Sequence, residues 1–428
     1  MSSEHADNLG RPSGPFGSDS ALSPFRWPAF RSIWFANLAS ALGSMIQMIA
    51  AAWLMTELTD SHLLVALVQA SVAIPVLLFG VVAGVIADNY DRRKVMLAAN
   101  IGMLVLSALL AVLTWADAVA PWSLLGLTLL IGGGFALNGP AWQASVRMQV
   151  PHRDIPQAIS LNTIAFNLAR SVGPAIGGLL LSFWGAELAF TANAASYLVM
   201  IVVLMRWRPR ATGRADKHPV FPAIVEGLRY CISSSPLRRV LARGFAFGFG
   251  IVGFQALVPL VAREQLQGDE FDFGLLLGAF GVGSIMTALW VSAARRRFGT
   301  EAIVSAGMAS SALAIAGLAF APTLAAALLA GLVAGGGFVA TQTSLNVSMQ
   351  LRSPEAILGR CLAIFQAMAF GGMALGSWLW GALSDSFGLK IALPAAGGWL
   401  LLSLIVLRSI APMPKIGEGH VVPMDDPA

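Results

Sequence analysis

The stretch GGGFALNGPAWQASVRMQVP, residues 132–151, lies without a gap over GGGFVATQTSLNVSMQLRSP, residues 335–354. Such a register within one chain marks an internal repeat, and its identities fall largely on small residues, which let membrane helices approach closely. Extending the register pairs Gly173 with Gly376, Gly178 with Gly381 and Gly185 with Gly388. Two copies of one helical unit are expected.

Composition says where those helices lie. The 428 residues are 57% hydrophobic and 11% charged, against about 25% charged in soluble domains. With about 20 apolar residues per crossing, twelve spans fit: near 32–56, 63–87, 95–116, 122–147, 155–183 and 187–206, then 240–262, 271–293, 301–319, 324–349, 357–383 and 388–408. The expected fold is all-α, a polytopic membrane protein of 12 transmembrane helices in two pseudo-symmetric six-helix bundles. The expected units are a disordered cytoplasmic tail (1–28), a first bundle (29–206), a linker (207–238), a second bundle (239–410) and a short tail (411–428). Within the linker, Ile224, Leu228 and Ile232 recur every four residues, the pattern of an amphipathic helix lying on a membrane surface.

Twelve spans put both termini on one side and alternate the loops. Of the 27 basic residues, all but Arg170, Arg263 and Lys390 then fall on the terminal side, so the positive-inside rule makes that side cytoplasmic. The net charge of +5 reports this orientation and not nucleic-acid binding. The first 25 residues carry no secretory signal. Cys231 and Cys361 sit at or near the cytoplasmic side without metal-ligand spacing, so neither a disulfide nor a metal or other cofactor is expected.

GVIADNYDRRK, residues 84–94, follows the second span. Gly84, Asp88, Arg92 and Arg93 match the signature loop between helices two and three of the major facilitator superfamily, which it resembles; Asp91 replaces that loop's second glycine. In that family the loop locks the two halves on the cytoplasmic side, its aspartate meeting the start of the eleventh helix, here near Ile357. A carboxylate favours a helix N-terminus. The positive-inside rule accounts for the bases but not for the Gly and Asp spacing. The second half reads SAARRRFG, with Ser292 in place of Asp88, so the lock is expected on one side only. The superfamily's fourth-helix arginine motif is absent from LLGLTLLIGGGFALNGP. Gly173, Pro174, Gly177 and Gly178 form the GPxxGG core of a fifth-helix signature associated there with exporters, although glycines can also serve tight packing alone.

Arg170 lies near the middle of the fifth span, where a guanidinium costs roughly 2.5 to 3.5 kcal/mol on insertion scales and usually faces a protein interior or a watery cavity. Thr163, Asn167, Arg170, Pro174 and Gly177 share one helical face. All 22 acids map to tails, loops or span ends, Glu57, Asp88, Asp117 and Glu187 included. The guanidinium must therefore be held by backbone carbonyls, by amides such as Asn138 or Asn162, by water or by substrate. Its repeat partner is Met373. A cavity or gating set of Arg170, Asn167, Thr163, Asn162 and Asn138 stands beside the alternative of a buried structural arginine.

Together, TELTDSHLLVAL, GVIADNYDRRKV, NLARSVGPAIGGLL and EGLRYCISSSPLRRVL resemble the enterobactin-exporter-like, transmembrane secretion effector branch of the superfamily. The resemblance implies a proton-driven monomeric exporter of the bacterial inner membrane. It would carry a small amphipathic molecule such as a siderophore by alternating access, with multidrug or macrolide efflux as the alternative. A membrane-embedded enzyme finds no support, because His5, His62, His152, His218 and His420 lie in tails or loops and none pairs with an acid at metal-ligand or acid/base spacing.

Overall fold

A computed structural model describes residues 20, 22–208, 220–354 and 357–413. The helices in chain order are α1 (Pro28–Leu58), α2 (His62–Asn89), α3 (Arg92–Trp115), α4 (Pro121–Ser145), α5 (Ile155–Arg206), α6 (Val220–Ser233), α7 (Ser235–Leu260), α8 (Glu270–Phe298), α9 (Thr300–Leu318), α10 (Leu324–Gln350), α11 (Leu358–Phe387) and α12 (Leu389–Ile410). Among the described residues eleven of these are long and apolar enough to span a membrane. The fold is that of the expected twelve crossings, because α5 crosses twice.

Gly185 is the reason. Its φ of 77° breaks the helical path inside α5, a conformation open to glycine at no steric cost. The chain doubles back there: Gly173 before the break packs on Met45 of α1, and Asn193 after it packs on Gly43 of α1. Its repeat partner Gly388 joins α11 to α12 with φ 80° and ψ 169°, almost the values at Gly185. The other paired glycines also do matching work. Gly132 of α4 meets the α2 backbone at Ser71, and Gly335 of α10 meets the α8 backbone at Phe280. Gly173 packs on α1, Gly376 on Phe249 of α7. The repeat read in the sequence is thus a repeat of helix contacts.

Polar groups inside the bilayer must find partners within the protein. In the first half Gln47 of α1 accepts from Ser107 of α3 at 2.7 Å and from Asn193 of α5, and all three are buried. In the second half Arg243 of α7 is fully buried and donates to Glu301 Oε1 of α9 at 3.0 Å and to the carbonyls of Leu407 and Ala411 at the end of α12. Each half is tied by its own polar knot.

The expected tail of 1–28 ends sooner than the sequence suggests. Ser23–Arg26 form a 3-10 turn, held by the buried Asp154 just ahead of α5: Ser23 Oγ donates to Asp154 at 3.0 Å, Trp27 Nε1 at 2.9 Å and Arg26 at 3.3 Å. Residues 1–19 lie outside the described residues. At the other end Met413 N donates to Glu301 Oε2 at 2.6 Å, so the C-terminal tail begins anchored. The linker helix is α6. Gly227 rests against Arg360 and Ile364 of α11, Glu226 pairs with Arg360, and Cys231 is buried as is Cys361, both free thiols. Leu228 and Ile232 stay exposed, the outer face expected of a surface helix, and the side chain of Ile224 lies outside the described residues.

Asp154→Ala removes the acceptor of three side-chain donors at once. Hydrogen bonds to charged groups contribute about 1.5–3 kcal/mol each, so a loss on the order of 3 kcal/mol is expected, read as a lower melting temperature of the purified protein with faster proteolysis near Arg26. An unchanged melting temperature contradicts the anchor.

Candidate functional site

The two halves meet along α2 with α11 and α5 with α8, and the repeat glycines stand at both seams. A Cβ on Gly178 of α5 would lie 2.6 Å from Gly274 Cα of α8, and one on Gly381 of α11 would lie 2.6 Å from Ala66 of α2. Both seams close toward the face opposite the termini, here the far face; the face carrying the termini is the basic face.

A side-chain latch adds to the far face. His62, the first residue of α2, binds Glu264 through Nε2 at 2.9 Å and Ser384 Oγ through Nδ1 at 2.8 Å, while its backbone N–H donates to Asp385 Oδ1 at 2.7 Å. Arg263 donates to Thr56 Oγ1 of α1 at 3.0 Å. Arg263 and Glu264 both come from a π-helical turn, Val261–Gln265, that follows Pro259 at the end of α7. Such turns re-aim side chains and recur at functional sites, and this one turns two charged residues of the second half onto the first. Trp53 of α1 stacks on Phe273 of α8 with centroids 5.9 Å apart.

Toward the basic face the same helices carry fewer neighbours. A Cβ on Gly84 of α2 would meet nothing within 4 Å. Thr163 and Phe166 of α5 are exposed, and Leu289 of α8 is 83% exposed. The signature loop is built into the first half. Asp91 caps α3 by accepting from Arg93 N at 2.9 Å and Lys94 N at 3.4 Å, Arg92 donates to the Ala144 carbonyl at the end of α4, and Arg93 donates to the carbonyls of Leu204 and Met205 at the end of α5. The substitution of glycine by Asp91 thus supplies a helix cap. The expected docking point of Asp88 is a helix start, as its N-cap is Ile357 and no side chain caps it among the described residues; the side chain of Asp88 lies outside them.

Arg170 sits midway between Ile155 and Gly185, partly buried. Its guanidinium carbon lies 4.2 Å from the ring centroid of Phe338 on α10, in the other half. Among the described residues no hydrogen bond or ion pair to Arg170 is present. Among the described residues neither a carbonyl nor an amide holds the guanidinium, and an aromatic face from the other half lies against it. An aromatic in an apolar helix gives no signal of that role. Phe338 is itself braced by Phe247 and Phe280 at 6.0 and 5.6 Å. Of the other expected residues, Asn138 accepts from Asn100 Nδ2 at 3.1 Å and so joins α4 to α3. Thr163 Oγ1 donates to the Ile159 carbonyl, Asn162 Oδ1 is buried without a partner, and the side chain of Asn167 lies outside the described residues. Gly173 and Gly177 pack on α1, and Gly178, with the Pro174 carbonyl, faces Gly274. His62, counted among the loop histidines, escapes sequence reasoning because its partners are more than 200 residues away.

Two halves of repeated helices closed at one face define a transporter of the major facilitator type. The family model for transmembrane secretion effectors matches residues 19–426, and the chain belongs to that family; it is a multi-pass membrane transporter of small molecules and not an enzyme. It is 25% identical over 397 residues to the multidrug efflux pump Tap of Mycolicibacterium fortuitum, covering 90% of this chain and 96% of that one. It is also 25% identical over 259 residues to the staphyloferrin A transporter of Staphylococcus aureus, covering 58% and 63%. The crystal structure of a point mutant of the nucleoside transporter NupG superposes with a TM-score of 0.75 at 12% identity over 89% of this chain and 99% of that one, a likeness of fold.

Gly178→Ala places a methyl group against backbone, which side-chain motion cannot relieve. Overpacking costs about 1–3 kcal/mol, here charged to the closed far face, so a cysteine at Ala66 in a background lacking Cys231 and Cys361 should react with an impermeant maleimide about tenfold faster or more. Equal reactivity with and without Gly178→Ala contradicts the seam.

Proposed function

We propose that the protein is a proton-driven exporter of small amphipathic molecules that works by alternating access as a monomer, with its termini in the cytoplasm of a bacterial cell and its body in the inner membrane. The observation that carries this reading is the asymmetry of the seams. Gly178 against Gly274 and His62 against Glu264 close the far face, while Gly84 looks into open space at the basic face. In this reading the far face is external and the conformation is open inward. The distribution of basic residues supports that orientation.

The gate set, Gly84, Asp88, Asp91, Arg92 and Arg93, closes the inner face in the opposite state when Asp88 reaches the uncapped start of α11. The fifth-helix set, Gly173, Pro174, Gly177 and Gly178, gives α5 the close contacts along which the halves rock. Arg170, Thr163, Asn162 and Asn167 on α5 and Asn138 on α4 belong to the substrate path. Siderophore export is the preferred substrate reading, favoured by the likeness to the staphyloferrin A transporter. Multidrug efflux is the second, favoured by the longer match to Tap.

Inverted membrane vesicles loaded with acid should accumulate substrate, and collapse of the proton gradient should stop it. Asp88→Asn removes a charge from a helix-dipole contact worth up to about 1 kcal/mol, and accumulation should fall about fivefold at equal expression. Accumulation indifferent to the gradient overturns proton coupling. Labelling of intact cells checks orientation: a cysteine at Asp269 should react with an impermeant reagent and one at Arg214 should not.

A further inference from the structure

The charge at the centre of the membrane has one sign. Among the described residues Arg170 is the charged side chain at mid-span: Glu57, Asp385 and Glu270 stand within about a turn of helix ends, Glu187 beside the break at Gly185, Glu226 on the linker helix α6, and the remaining described acids in loops, caps or terminal turns. The buried Arg243 is matched by Glu301, whereas Arg170 has only the face of Phe338. A ring face meets the cation through its quadrupole and takes none of the five N–H donors of a guanidinium. Nor does the fold need a charge here, for the repeat-related position on α11 carries Met373. The repeat counterpart of Phe338 is Phe135 on α4, so the two halves keep the aromatic and differ in the cation.

We propose that Arg170 and Phe338 together set the charge class of the substrate: the protein takes organic anions that carry a carboxylate or phenolate beside an aromatic or branched apolar body, and it rejects cations. This rests on the exporter reading above, and sharpens it. A planar carboxylate matches the guanidinium fork in pairs of hydrogen bonds while the ring contact is kept, so a bound anion adds to the α5–α10 bridge between the halves. Phe338, itself buried, holds the guanidinium in place, the apolar body meets the exposed Phe166, and the unpartnered Asn162 Oδ1 accepts from any hydroxyl or amide donor the substrate carries. At about 6 Å and an effective dielectric of about 20, one unit of charge beside the guanidinium shifts binding by about a hundredfold, toward anions and against cations.

The test uses the full-length protein in lipid nanodiscs and two fluorescent probes with one body, pyrenebutyrate and a pyrenebutyl trimethylammonium salt. Wild type should bind the anion about ten-thousandfold tighter than the cation, since the two probes differ by two units of charge. Arg170→Met should erase that preference at an unchanged melting temperature, and Arg170→Lys should keep part of it, since the ammonium retains the charge but loses the fork. If Arg170→Met does not fold, the comparison of the two probes on wild type and Arg170→Lys still decides. Equal binding of both probes, binding of neither, or a preference that survives Arg170→Met overturns the proposal. Binding is measured without transport, so an anion preference in a protein that fails to accumulate substrate in vesicles would count against the exporter reading alone.

Discussion

Helices in a bilayer gain no hydrophobic free energy by leaving lipid for one another, so they associate through close van der Waals contact and internal hydrogen bonds. The glycine approaches follow from that constraint. Within each half, close contacts are backed by polar knots that cannot be opened without stranding buried groups: Gln47 with Ser107 and Asn193, Arg243 with Glu301, Asp154 with Ser23 and Trp27. Between the halves the seams rest on Gly178 against Gly274 and Gly381 against Ala66, with a latch of polar groups at the membrane edge, where water can take over each partner. The units are therefore stiff and the joint between them is separable. That division of strength suits the proposed alternating access.

Much of this was legible in the sequence because glycine, proline and charge act locally or through periodic patterns. The repeat register located Gly185 and Gly388, and the structure gives both the same left-handed backbone. The amphipathic pattern of 224–232 marked α6, and the charge distribution sorted the loops. What stayed hidden depends on partners far away in the chain. Asp154 reads as a loop acid until Trp27 and Ser23 are folded onto it. Arg243 reads as one more basic residue near the terminal face and is instead fully buried. His62 looks like a loop histidine because Glu264 and Asp385, its partners, lie more than 200 residues away in the chain.

The halves are alike in packing and unlike in charge. The second half carries no acid at the place of Asp88 and has Met373 at that of Arg170, so the repeat supplies the scaffold while the proposed gate acid and recognition charge belong to one half. The π-helical turn at Val261–Gln265 is a further local departure, and it delivers Arg263 and Glu264 to the first half.

The central claim is that closure of the far face is one of two alternating arrangements of stiff halves. Its most direct measurement is a pair of spin-label distances in the same protein, one between Asp60 and Gln267 across the far face and one between Arg153 and Arg296 across the basic face. Adding His62→Ala and Gly178→Leu should lengthen the first and shorten the second together. Lengthening of the far-face distance with no change at the basic face, or no change in either, would contradict the account.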